Sequence, residues 1–233
     1  APPIVEFSFN DYPWYQPRQK FLGDMTLDGR DDVAIWVNDQ LRVFGQLADG
    51  RFQQQHILID TGISVDYGGM DELSAAMRDQ DQSDSHTRAL VDLADLDGDQ
   101  LTDLMAISVH SSGVFRKRTT YEIYRGVNLD GQLGFTRKPI TRIESRGYQF
   151  EAVGKDFNND GQTDMVISAV DVGIGKILAA LVTGSVKIDL NFYLMERGEY
   201  SAKPDLRREI TATFDLRSGD FFFPSVLIVD CDG

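Results

Sequence analysis

The sequence contains one acidic nine-residue pattern three times, and a short apolar run follows each copy directly. The copies are DMTLDGRDD at residues 24–32, DLDGDQLTD at 95–103 and DFNNDGQTD at 156–164. Each copy carries an oxygen-bearing side chain at positions 1, 3, 5 and 9, counted from its first aspartate. The copies begin 71 and 61 residues apart. A repeat of this length indicates a modular architecture in which each unit packs against its neighbours.

The apolar run after each acidic segment has the length and the composition of a β-strand. The three runs are VAIWV (33–37), LMAISV (104–109) and MVISAV (165–170). A second strand-like run follows in each unit, and then come a turn and an aromatic residue, namely Phe52, Phe135 and Tyr200. The order predicts an all-β protein made of four-stranded antiparallel sheets, as in the blades of a β-propeller.

Two insertions and an incomplete fourth copy complete the predicted organisation. Residues 70–80 predict a short helix, whereas residues 171–186 are apolar, are punctuated by glycine and fit either a strand or a helix. Asp230 and Asp232 occupy positions 1 and 3 of a fourth copy at 230–233. We therefore expect residues 1–233 to form a single propeller domain of about three blades plus the start of a fourth. We also expect it to be part of a larger propeller, because the remainder or a partner chain is needed to cover its blade faces.

The acidic segments predict three calcium sites. Calcium takes about six to eight oxygen ligands and tolerates irregular geometry, and the short Asp side chain reaches an ion without a long flexible stem. In this pattern, positions 1, 3, 5 and 9 provide side-chain oxygens and position 7 provides a backbone carbonyl. The predicted ligands are Asp24, Thr26, Asp28, the carbonyl of Arg30 and Asp32 in the first loop; Asp95, Asp97, Asp99, the carbonyl of Leu101 and Asp103 in the second; and Asp156, Asn158, Asp160, the carbonyl of Gln162 and Asp164 in the third. The second loop has four carboxylates, so charge ranks it as the tightest site.

Ion-free turns and EF-hand loops are the two alternatives to this type of calcium site. Asp and Asn can bond to their own backbone in Asx turns that hold no ion, and this alternative stays open for any single loop. An EF-hand or dockerin loop requires a glutamate at position 12 and a following helix. Position 12 is Ile35, Ala106 or Ile167, and each lies in a strand-like run. The EF-hand is therefore rejected.

Charge and composition exclude several classes of function. The net charge is −14 and the isoelectric point is about 4.5, so general binding to the phosphate backbone of nucleic acids is not expected. The apolar runs are too short to span a membrane. Cys231 is the single cysteine, which excludes an internal disulfide and cysteine-based metal sites. The histidines His56, His86 and His110 show neither metal-ligand spacing nor a nucleophile motif.

With these residues in view, the chain resembles the FG-GAP/VCBS family of repeats, which is best known from the integrin α-subunit propeller. The matching pattern is Asp-x-Asp-x-Asp-Gly-x-x-Asp followed by a short apolar strand, and it covers nearly the whole chain. The Gly-Ala-Pro segment typical of integrins is absent, since Asn38, His110 and Asp171 stand in its place. The sequence is therefore more similar to the bacterial VCBS-type variant.

The resemblance implies a β-propeller, usually seven-bladed, with calcium in hairpin loops on one face, at a secreted, periplasmic or cell-surface location. We expect structural calcium and a non-enzymatic scaffold for protein interactions, with the partner unidentified. Two alternatives remain. A lectin-like propeller requires exposed aromatics that recur from blade to blade, and Phe52, Phe135 and Tyr200 recur, although core packing explains them equally well. An accessory propeller of a secreted hydrolase or polysaccharide lyase requires catalytic residues outside this sequence.

Overall fold

The computed structural model describes residues 4–7, 13–16, 18–73, 85–112, 117–146, 148–170, 174–214 and 221–222. In chain order its strands are β1 (Ile4–Phe7), β2 (Pro13–Gln16), β3 (Phe21–Gly23), β4 (Asp32–Val37), β5 (Gln40–Phe44), β6 (Ile57–Ile59), β7 (Ser85–Ala94), β8 (Asp103–Ser111), β9 (Lys117–Tyr124), β10 (Gly126–Leu129), β11 (Gln132–Phe135), β12 (Thr141–Arg146), β13 (Tyr148–Lys155), β14 (Asp164–Val170), β15 (Ser185–Tyr193), β16 (Met195–Glu196), β17 (Glu199–Tyr200), β18 (Leu206–Phe214) and β19 (Phe221–Phe222). The predicted strands at 33–37, 104–109 and 165–170 are confirmed as parts of β4, β8 and β14.

Three antiparallel sheets repeat one connectivity. Sheet I has the order β3-β4-β5-β6, sheet II the order β7-β8-β9-β12, and sheet III the order β13-β14-β15-β18-β19. Between the third and fourth strands lies a small hairpin, formed by β10 and β11 in sheet II and by β16 and β17 in sheet III. In sheet I the same place holds the isolated pair Gln46 and Phe52. The all-β class is therefore confirmed, as are four-stranded antiparallel sheets in I and II, while sheet III adds the short fifth strand β19.

The sheets pack on one another in series, and always in the same sense. We call the face that carries the first residue after each position-9 aspartate the A face, and the opposite face the B face. The A faces carry Val33 and Ile35, Leu104 and Ala106, and Met165 and Ile167; the B faces carry Ala34 and Trp36, Met105 and Ile107, and Val166 and Val170. One buried cluster joins the B face of sheet I to the A face of sheet II, and a second joins the B face of sheet II to the A face of sheet III. The core therefore lies between successive sheets.

The two ends of this series differ. The B face of sheet III is buried in a third apolar cluster that includes Val166, Ile188 and Leu190. The A face of sheet I is only partly covered, because Leu22 is 62% and Leu58 55% exposed. These two leucines pair in register with Val33 and Arg42 on that same face. Sheet I therefore presents an apolar surface equivalent to those that its neighbours bury.

Both insertions contain helical residues. Residues 70–73 are helical, and the rest of the predicted helix at 70–80 lies outside the described residues. The undecided insertion at 171–186 contains the helix Ile174–Thr183, between β14 and β15. No helix among the described residues has the length and apolar character needed to cross a membrane. The incomplete fourth copy at 230–233 and Cys231 lie outside the described residues.

Candidate cation-binding loops

The three acidic segments form equivalent hairpin loops, each joining the first strand of its sheet to the second. They are loop 1 (24–32), loop 2 (95–103) and loop 3 (156–164). Thr102 of loop 2 donates its hydroxyl proton to the carbonyl oxygen of Asp24 in loop 1 over 3.2 Å. The N–H of Thr163 in loop 3 donates to the carbonyl oxygen of Leu96 in loop 2 over 2.8 Å. The loops therefore form a row along one edge of the stacked sheets.

The position-9 aspartates are buried and connect each loop to the rest of its sheet. Asp32, Asp103 and Asp164 are at most 1% exposed. One carboxylate oxygen accepts the N–H of position 2, from Met25 at 3.0 Å, Leu96 at 3.0 Å and Phe157 at 2.9 Å. The other oxygen accepts an N–H from beyond the third strand, from Gln46 at 2.8 Å, Gly126 at 2.8 Å and Met195 at 2.9 Å. Each carboxylate thereby attaches its loop to the small hairpin of the sheet.

Positions 1 and 5 shape the turn itself. The position-1 carboxylate accepts two backbone N–H groups from within its loop; for Asp24 these come from Asp28 at 3.0 Å and Gly29 at 2.7 Å. The position-5 carboxylate accepts the N–H of position 7, from Arg30 at 3.1 Å, Leu101 at 2.8 Å and Gln162 at 2.8 Å. These are Asx turns, so the bonds expected of an ion-free turn are present. Each oxygen that accepts one hydrogen bond keeps a second lone pair for a cation.

Backbone dihedrals explain why the glycine moves between positions in the pattern. Positions 4 and 6 have positive φ in every loop: Leu27 at 60° and Gly29 at 80°, Gly98 at 78° and Gln100 at 70°, and Asn159 at 60° and Gly161 at 84°. A left-handed residue costs least when it is glycine. Loop 2 has its glycine at position 4 and loops 1 and 3 at position 6, so each loop relieves one of its two unfavourable residues. The three backbones therefore follow the same path, with left-handed residues at positions 4 and 6 in every loop.

Loop 2 gathers the densest cluster of ligand atoms. Asp95, Asp97 and Asp99 each place a carboxylate oxygen within 4.8 Å of the others. Two ligands on one calcium ion, each about 2.4 Å from it, lie up to about 5 Å apart, so this spacing fits a single ion. Among the described residues it is the one group of three or more His, Cys, Asp or Glu side chains that meets this spacing. Loops 1 and 3 have Thr26 and Asn158 at position 3 and so offer fewer carboxylates.

The aspartates of loop 2 also interact electrostatically. Burial first, and then the nearby Asp97 and Asp99, raise the pKa of Asp103 to about 6 despite its two backbone hydrogen bonds. The pKa of Asp99 is raised as well, first by burial and then by Asp97 and Asp95. Burial and mutual repulsion both disfavour the ionised form of these carboxylates. A bound cation would offset both effects, because it favours the ionised form.

Arginine side chains already neutralise part of two loops. Arg125 places Nε 2.9 Å from Oδ2 of Asp97 and donates from Nη2 to the carbonyl oxygen of Gly198 over 2.8 Å. It therefore joins loop 2 to the small hairpin of sheet III. In loop 1, Arg30 forms an ion pair with Asp28 and donates from Nε to the carbonyl oxygen of Gln46. The repeated pattern pointed only to the carbonyl of Arg30 and gave no signal for Arg125, which lies outside it.

The position-3 and position-7 side chains of loops 1 and 3 make different contacts. The Oγ1 atom of Thr26 is buried and has no hydrogen-bond partner among the described residues, which leaves it available as a ligand. In loop 3, Asn158 donates from Nδ2 to Oδ2 of Asp160 over 3.1 Å. Gln162 accepts the N–H of Gly198 at 2.9 Å through its side-chain oxygen. The position-7 carbonyls belong to the residues that close the position-5 turns.

No family model matches the chain, and no curated protein is significantly similar to it. The three histidines are exposed and lie apart from the loops in sequence. His56 contacts the ring of Phe44, with centroids 5.6 Å apart, and His86 pairs across the strands with His110, with centroids 6.4 Å apart.

Proposed function

We propose that this protein is a calcium-stabilised β-propeller, or part of one, that acts without catalysis as an extracellular or cell-surface scaffold for protein interactions. One observation carries the proposal. Three loops with the same acidic pattern occupy the same hairpin in three stacked sheets and adopt the same backbone path. A geometry repeated around different neighbouring residues has a common cause, and a bound hard cation provides one.

The propeller part of the proposal rests on the direction in which successive sheets stack on one another. Each B face covers the A face of the next sheet. Four-stranded twisted sheets that add face to face in one sense build a curved series, and propellers of about four to eight blades close such a series. The partly exposed A face of sheet I is the surface that a further blade would cover.

The calcium part rests on the chemistry of loop 2. Its three clustered aspartates supply hard, charged oxygen ligands, and their spacing suits an ion that accepts six or more ligands at irregular angles. Magnesium requires near-octahedral geometry and gives up its water reluctantly, so it fits a loop of this kind less well. Calcium bound here would neutralise the loops and hold the hairpins in place. Weak sites of this type suit the millimolar calcium outside cells, which supports a secreted, periplasmic or surface location.

Burial of the recurrent aromatics favours the scaffold over a glycan-binding propeller. Phe135 is 8% and Tyr200 6% exposed, and both belong to apolar clusters, whereas Phe52 is 41% exposed. An exposed aromatic platform that recurs from sheet to sheet is therefore not formed by these three residues. A protein partner remains our proposal, and the acidic surface favours one with basic groups over nucleic acid.

The experiment is a thermal melt in excess EDTA, in millimolar calcium and in millimolar magnesium. Sites with dissociation constants of about 0.1–1 mM gain roughly 1–2 kcal/mol each at 5 mM calcium. We expect calcium to raise the melting temperature well above the EDTA value and magnesium to have little effect. Asp99→Asn should lose part of the calcium increment. Asp130→Asn is the matched control, because it removes the same charge from an exposed hairpin turn. Equal melting temperatures in EDTA and calcium would refute the calcium sites.

A further inference from the structure

A cavity of about 230 Å³ lies between the B face of sheet II and the A face of sheet III, and the calcium proposal does not use it. Most of the side chains that line it are apolar. They include Val91, Leu96, Met105, Met165 and the ring of Tyr200, and Asp92 is the one carboxylate among the lining residues. Tyr200 uses its hydroxyl to donate to the carbonyl of Thr163, so the wall retains the ring rather than a free polar group.

The repeat shows that this cavity arises from two exceptions to the pattern. Three residues before position 1, sheet I has Phe21 and sheet III has Val153, but sheet II has Asp92. All three pair with the residue two places after a position-9 aspartate, so the register is equivalent. A carboxylate therefore stands on an inter-sheet face at a register position where the sequences of the other two sheets have an apolar residue.

The second exception lies on the opposite wall. Two residues before position 1, sheet I has Leu22 and sheet II has Leu93, but sheet III has Gly154. A Cβ atom on Gly154 would lie 2.9 Å from Cγ2 of Thr163. Between sheets I and II the equivalent space is filled, because Phe21 and Leu93 share one buried cluster. Between sheets II and III the loss of a leucine and the change to aspartate leave the space open.

Asp92 directly follows a local irregularity in the pairing of its strand. The pairing of β7 with β8 shifts register between Leu90 and Asp92, so Val91 forms a β-bulge, a feature that redirects side chains beside functional sites. Oδ1 of Asp92 accepts the N–H of Leu93 at 2.8 Å. Among the described residues, no ion pair to Asp92 is found. The residue is exposed and also lines the cavity, which places it at the mouth.

We propose that this cavity binds a small organic ammonium ion. The carboxylate of Asp92 would neutralise the charge, the ring of Tyr200 would face the cation, and the apolar walls would receive its alkyl groups. A divalent metal is the weaker alternative, because it needs several oxygen ligands and this cavity offers one carboxylate. The volume is below the roughly 300–1,000 Å³ of pockets for drug-sized ligands, so the ion must be small.

The test is a titration of the full chain with tetramethylammonium chloride, followed by NMR of carbon-13-labelled methionine methyl groups in the presence of calcium. Met105 and Met165 line the cavity, whereas Met25 lies in the cluster between sheets I and II and serves as the internal control. We expect saturable shifts at the two lining methionines and no shift at Met25. tert-Butanol is the neutral probe of similar shape, and it should bind at least about tenfold more weakly because it gains no attraction to the carboxylate.

Three variants distinguish the effect of the Asp92 charge from the effect of the cavity volume. Asp92→Asn keeps the volume and removes the charge, and it should weaken tetramethylammonium binding by about tenfold or more. Asp130→Asn removes one charge far from the cavity in sequence and should leave binding within about twofold, which excludes general attraction to this acidic chain. Gly154→Val should abolish binding, because its Cβ would lie 2.9 Å from Cγ2 of Thr163 and would displace that lining side chain. Equal binding of both probes, or wild-type affinity in Asp92→Asn, would overturn the proposal. Loss of the calcium response would refute the proposed function and leave this inference untouched.

Discussion

Replacing the buried position-9 aspartate of loop 3 should destabilise the protein even when no calcium is present. Asp164 is fully buried, and its carboxylate accepts the N–H groups of Phe157 and Met195, both at 2.9 Å. Asp164→Ala removes both acceptors at once. The N–H of Met195 then stays buried, because the residue itself is 1% exposed. The loop and the small hairpin β16–β17 would lose their direct connection.

The magnitude follows from these two bonds. A hydrogen bond to a charged acceptor contributes about 1.5–3 kcal/mol, and a buried donor left without a partner incurs its desolvation cost. Two such bonds on one side chain are not independent, so their sum is an upper limit. We expect Asp164→Ala to lower the free energy of unfolding by about 3–5 kcal/mol.

The assay is urea unfolding of the wild type and variants, in EDTA and again in calcium. The matched variant is Asp160→Ala in the same loop, because Asp160 is exposed and its bond to the N–H of Gln162 closes only a local turn. It should cost about 0.5–1 kcal/mol in EDTA and should reduce the calcium increment instead. If Asp164→Ala were as stable as the wild type in EDTA, the two buried bonds would not hold the loop, and the reasoning would fail.

Three further predictions follow from loops 2 and 3. The pKa of Asp103, raised to about 6 by burial and by its neighbouring aspartates, means that the folded state binds this proton more tightly than the unfolded state does. In EDTA the contribution of Asp103 to stability should therefore fall as the pH rises from about 4 to about 6, and urea unfolding of Asp103→Asn should lack that fall. Arg125→Gln removes the cation beside Asp97 and should tighten calcium binding to loop 2 a few-fold by isothermal titration, while unchanged affinity would show that the arginine does not compete. A Cβ atom at Gly161 would meet no atom within 4 Å, but the backbone there has a φ of 84°. Thermal melting of Gly161→Ala should therefore show a loss of stability of about 1 kcal/mol from backbone strain alone. An unchanged melting temperature would show that alanine is not strained at this position.

Local sequence was sufficient for the strands and for the turns. The runs after residues 32, 103 and 164 are β-strands because β-branched and apolar side chains alternate between two buried faces. The acidic loops could be located because aspartate and asparagine determine turn geometry through their own backbone. The insertion at 171–186 could not be assigned, because a short apolar segment suits either secondary structure and its helix forms within the tertiary context.

The double role of the acidic pattern was not visible in the sequence. Positions 1, 3, 5 and 9 carry similar oxygens, yet position 9 is buried and bonded to a distant hairpin, whereas position 5 is exposed in its turn. Arg125 and Gly198 are 73 residues apart and meet only because sheets II and III are stacked.

The sequence by itself therefore determined the repeated unit, since turn and strand preferences are local properties of the chain. Only the tertiary structure decided which face each sheet buries, which carboxylates are desolvated, and that Asp92 and Gly154 border one cavity. Burial and electrostatic interaction depend on distances between residues that are remote along the chain, and these distances exist only once the sheets have packed.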